Sequence, residues 1–191
     1  MKPPLNNKAV TLLEVLISII LMGIVMLGFF SIDFFSRYHV NSVERRSKIQ
    51  NEMSYVLDDM TKNVSRCRGD NSSSANWGVR NDIANGCRIR VDNNTTPTDV
   101  YTDDQWVNYV LSSNRITKQT CNSSNASCSP VPAENLNTRA IIVTFVCNSD
   151  QNGTGADIQL VGRYDATQAA SSDNPEMRMQ TRAYSFSASS N

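Results

Sequence analysis

One carboxylate, Glu14, stands in a run of 24 residues from Ala9 to Ile32 that holds no other charge. A lone carboxylate in so apolar a stretch has two uses. It can sit at a membrane interface, helped by the positive end of a helix, or it can be kept to meet a charge on a partner. The other residues with chemical potential are few. His39 is the only histidine and follows the apolar run directly, so a Ser-His-Asp site in the remainder would lack its base. Asp58 and Asp59 would point apart on a helix, which defeats a general-acid pair and suits a solvated face. Asp150-QNGTGA-Asp157 has the oxygen density of a calcium loop but lacks the EF-hand glycine and closing glutamate, so a polar hairpin turn is expected. Arg-Gly-Asp at 68–70 and Asn-x-Ser/Thr sites such as Asn63 and Asn71 are short matches in an Asn/Ser-rich chain. No catalytic residue, metal site or cofactor is expected.

Five cysteines, at 67, 87, 121, 128 and 147, all lie beyond the apolar run. In an exported domain they read as disulfides. Cys121 and Cys128 flank the short loop NSSNAS and are expected to pair. Cys67 with Cys87 is the expected second bond, with Cys87–Cys147 as its alternative. The fifth cysteine is then a buried thiol or an intermolecular link. Zinc is disfavoured, because there is no CxxC and one histidine only.

The elements that must carry these residues follow from periodicity. Val15 to Ile32 is 18 residues without a charge, the length at which a transmembrane helix is expected. The flank FFSIDFFSRYHV is bulky and offers no A-x-A, so a removed secretory signal is rejected. No proline occurs between Pro4 and Pro97, so the helix can run on. Ile49, Met53, Val56, Leu57, Met60 and Val64 then mark one helical face, opposite Glu52, Asp58, Asp59, Lys62 and Asn63. One helix from Val10 to Cys67 is expected, roughly 87 Å long at 1.5 Å per residue. After a loop at 68–78, β-type segments are expected at 88–92, 105–112, 114–120, 139–147, 157–165 and 177–187, the second and third as a hairpin. The expected class is α+β, a long N-terminal transmembrane helix packed at its C-terminal half on an antiparallel head sheet. With 18 Lys+Arg against 18 Asp+Glu the net charge is zero, which argues against nucleic acid as the main partner.

The start of the chain is similar to a known pattern. MKPPLNNKA followed by VTLLEVLISIILMGIV resembles the N-terminal signature of type IV prepilins and type II secretion pseudopilins. In that family a small residue precedes the scissile bond, and Thr and Glu stand second and fifth in the mature chain. Ala9, Val10, Thr11 and Glu14 match those positions, although the family usually has Gly before the cut and Phe after it. The resemblance implies cleavage between Ala9 and Val10 by a prepilin peptidase, N-methylation of Val10, and assembly with other pilin or pseudopilin subunits through the helix, Glu14 meeting a neighbour's Val10 amine. It divides the chain into a leader (1–9), membrane and filament helix (10–32), amphipathic helix (33–67) and β-rich head (68–191). It also implies the bacterial inner membrane, with the head in the periplasm or outside. QNEMSYVLDDMTKNVSR, NYVLSSNRITKQ and AENLNTRAIIVTF resemble the larger minor subunits, the J-type pseudopilin or W-type minor pilin group. The competing expectation is a single-pass anchored binding or adhesion module that never polymerises.

Overall fold

The computed structural model describes residues 11–69, 73, 76–92, 104–122, 133–150 and 153–185. The chain is α+β: one long helix followed by antiparallel strands. It divides into two compact units, Met1–Asn41 and Ser42–Asn191.

The helix, α1, runs Leu12–Ser65, 54 residues. It ends two residues earlier than expected. The amides of Arg66 and Cys67 bond three residues back, to Asn63 and Val64, and Cys67 then bridges Val91. The last turn tightens and the chain passes into sheet pairing. In the first unit the side chains of α1 face outward, from Leu12 at 87% exposure to Phe30 at 71% and Phe34 at 77%. An 18-residue window here has a mean hydropathy of 2.7, long and apolar enough to cross a membrane.

In the second unit all six residues of the expected stripe, Ile49, Met53, Val56, Leu57, Met60 and Val64, are buried. Each contributes on the order of 1.5–3 kcal/mol by leaving water. They pack beneath two sheets, not the single meander expected. Strands β1 (Val79–Arg80), β2 (Gly86–Val91), β3 (Gln105–Ser112), β4 (Arg115–Asn122) and β5 (Glu134–Asn135) form one in sequence order. Strands β6 (Ile141–Ser149), β7 (Gly155–Arg163) and β8 (Glu176–Tyr184) form the other.

The break between them has a local cause. Buried Asn137 accepts from the Ile116 amide at 2.7 Å and donates to the Ala140 carbonyl at 2.6 Å. The amides of Thr138, Arg139 and Ala140 all donate to the Glu52 carboxylate on α1. Those groups are unavailable to a ladder, so β6 starts at Ile141 rather than at Arg139. The β3–β4 hairpin is as expected, with Ser113 and Asn114 both at positive φ in a two-residue turn. Gly162 on β7 faces α1. A Cβ there would meet Met53 Sδ at 2.7 Å and Ile49 Cγ2 at 3.1 Å, so the residue sets how closely helix and sheet approach.

Candidate functional site

The first turn of α1 holds the residues singled out at the N-terminus. Thr11 precedes the helix, and its Oγ1 accepts from the Glu14 amide at 3.3 Å. The Glu14 carboxylate accepts in return from the Thr11 amide and from the Thr11 hydroxyl, both at 3.4 Å. This is a capping box, in which side chains satisfy amides that have no partner at a helix start. The carboxylate also lies at the positive end of the helix dipole. Glu14 therefore has a partner within its own chain. Ser18 and Ser31 return their hydroxyls to the carbonyls four residues back, at 2.7 and 2.8 Å. Those polar groups on the apolar helix are thus satisfied locally, as a spanning helix requires. Ala9 and Val10 lie outside the described residues.

The cysteines correct one expectation. Cys87 on β2 is bonded to Cys147 on β6, their Cα atoms 5.9 Å apart, and Cys67 is a buried thiol outside that bond. The Cys67–Cys87 pairing is therefore overturned. Cys67 closes the end of α1 with its sulfur beside Gly78, whereas Cys87 lies on the face of β2 that looks toward β6. Burial raises the Cys67 pKa to about 11, which leaves it a poor nucleophile. Cys121 is disulfide-bonded, while Cys128 lies outside the described residues, as does Asp70 of the Arg-Gly-Asp.

Other candidates resolve into structure. His39 packs against Phe35 and Tyr38, with ring centroids 4.3 and 6.3 Å apart. Asp150 accepts from the Thr154 amide and hydroxyl at 2.8 and 3.2 Å and so shapes the β6–β7 turn. Asp58 is exposed. Asp59 is not the solvated residue expected: it accepts from Tyr109 Oη at 2.6 Å and from Lys118 Nζ at 2.7 Å. Asn63 donates to the same tyrosine oxygen at 2.6 Å. Burial first, then the Asp59 carboxylate, pushes the Tyr109 pKa upward. Glu52, expected on the helical face opposite the apolar stripe, instead anchors the segment between the sheets. Burial alone would raise its pKa, but the donors from Ala140, Arg139 and Thr138 outweigh that and hold it below the usual carboxylate value. Glu52, Asp59 and Asn63 border the apolar stripe at intervals of seven and four, a spacing that places them at the helix–sheet seam. Among the described residues no group of three or more metal-ligating side chains comes together.

Residues 4–30 match the family model of the prokaryotic N-terminal methylation motif. No curated protein and no solved structure matches the chain. The motif, set on the capping box and the apolar helix, supports a precursor of the type IV pilin or pseudopilin kind, a class of structural subunits. It implies processing by a prepilin peptidase and assembly with other pilin subunits. The head lies outside the match, which covers 27 of the 191 residues.

Proposed function

We propose that this chain is a minor pilin or pseudopilin, a non-enzymatic subunit that initiates or caps a type IV pilus or type II secretion filament. A prepilin peptidase cuts between Ala9 and Val10 and methylates the new Val10 amine. The mature chain of 191 − 9 = 182 residues stays in the inner membrane through its helix, with the head in the periplasm, until it enters the filament. The observation that carries this reading is the Thr11–Glu14 box at the head of an apolar helix, in register with the methylation motif. Before assembly, Thr11 hydroxyl and amide groups share the Glu14 charge and reduce its cost in lipid. In the filament the carboxylate meets the cationic amine of a neighbour, a stronger partner than a neutral hydroxyl.

The test is Glu14→Ala in a strain with an active peptidase. Expected: the protein is still membrane-bound, cleaved and folded, but its recovery in the filament fraction falls at least tenfold. Undiminished incorporation would overturn the reading.

A further inference from the structure

Strand β8 pairs with β7 along all nine of its residues, without a register shift. Among the described residues it pairs with nothing else. The Ser185 amide donates to the Thr154 carbonyl at 2.8 Å, so odd-numbered residues of this segment turn their backbone groups toward β7. The amides and carbonyls of Glu176, Arg178, Gln180, Arg182 and Tyr184 therefore face the open edge. No proline, glycine or bulge interrupts it, although edges are commonly blocked by such devices.

The two faces of the edge differ. Met177 and Met179 are half-buried on the α1 side, Met179 beside Ser54 at 4.0 Å, with Tyr55 exposed next along the helix. On the outer face Arg163 pairs with Glu176 and Arg182 with Asp157. Arg178 lies opposite Val161 and, among the described residues, meets no carboxylate.

We infer that the β8 edge accepts an extended strand from a different chain, apolar toward α1 and acidic on its outer face, with a carboxylate against Arg178. The inference rests on the filament reading only for where such a strand would come from. A second copy is disfavoured. Antiparallel β8–β8 pairing centred on Gln180 opposes Arg178 with Arg182, and pairing centred on Arg178 opposes that arginine with itself; like charges across a ladder repel. Pairing centred on Met179 sets Glu176 against Arg182 but opposes Arg178 with Gln180, so Arg178 gains no carboxylate from a second copy.

The test is amide exchange on the full chain in detergent, titrated with a capped nonapeptide of alternating valine and aspartate. Expected: the amides of Arg178, Gln180 and Arg182 slow at least tenfold, while odd-numbered β8 amides, already protected, do not change. Arg178→Glu should weaken binding about tenfold. Gln180→Pro removes an edge-facing amide and no ladder bond, so it should abolish binding while the odd-numbered protection persists. No slowing, or equal slowing by a valine–lysine peptide, would overturn the inference. So would concentration-dependent protection without peptide, which would mean that a second copy takes the edge. None of these readouts depends on cleavage or filament entry, so failure here is separable from failure of the filament reading.

Discussion

The Glu52 carboxylate on α1 accepts a hydrogen bond from the Ala140 amide at 2.7 Å, across 88 positions of sequence. The same carboxylate takes the Thr138 and Arg139 amides and the Thr138 hydroxyl, so one side chain holds the helix, the end of the first sheet and the start of the second.

Glu52→Ala should therefore destabilise the head by about 2 kcal/mol, because charge-assisted bonds are lost and backbone donors are left to water. The folded-state pKa of Glu52 is lowered, so its contribution is present above the unfolded value of 4.5 and is lost as pH falls through the folded value. Urea unfolding from pH 7 to pH 3 checks this. The native chain should lose stability at the acid end, and Glu52→Ala should lose measurably less.

Tyr109→Phe leaves the Asp59–Lys118 pair in place but removes the phenol that Asp59 and Asn63 share. The expected loss is about 1–2 kcal/mol. A double-mutant cycle with Asp59→Asn, read by urea unfolding, should give a coupling above about 0.5 kcal/mol.

The Cys87–Cys147 bond closes a loop of 60 residues and joins the two sheets. In the chain-entropy picture it is worth about 4 kcal/mol. Cys87→Ser should lower the midpoint of urea unfolding accordingly. Cys67 should resist alkylation at pH 8 in the folded chain and react only on unfolding, since its thiol is buried and its pKa lies near 11. Mass spectrometry after iodoacetamide treatment reads both states.

Gly162→Ala places a methyl against Met53 and Ile49. Met53 can swing aside more readily than Ile49, so a loss of about 1 kcal/mol is expected from overpacking. Gly162→Val should cost more. Thermal unfolding of the two variants gives the order.

Local pattern carried much of this from the sequence. The apolar stripe from Ile49 to Val64 is a property of neighbours on one helix, and all six residues are buried. The turn at Ser113–Asn114 is likewise short-range, whereas Thr11 and Glu14 are legible only as positions of the N-terminal pattern, and the capping box they form is a finding of the structure. What local pattern lacked was the partner across the fold. Glu52 and Asp59 look solvated on a helical wheel, and only the sheet beneath reveals the amides and the phenol they meet. The choice between Cys67 and Cys147 as partner of Cys87 depends on which strands face one another, which cysteine spacing does not encode. The two-residue strands β1 and β5 are too short to show a period.

The most direct test of the central claim is the intact mass and N-terminal residue of the membrane-extracted protein, with and without prepilin peptidase. The account predicts a chain of 182 residues beginning at N-methylated Val10 when the peptidase is active, and the uncut 191-residue chain when it is absent. A Met1 terminus in the presence of active peptidase would contradict it. Glu14 would then be only the cap of an ordinary membrane helix.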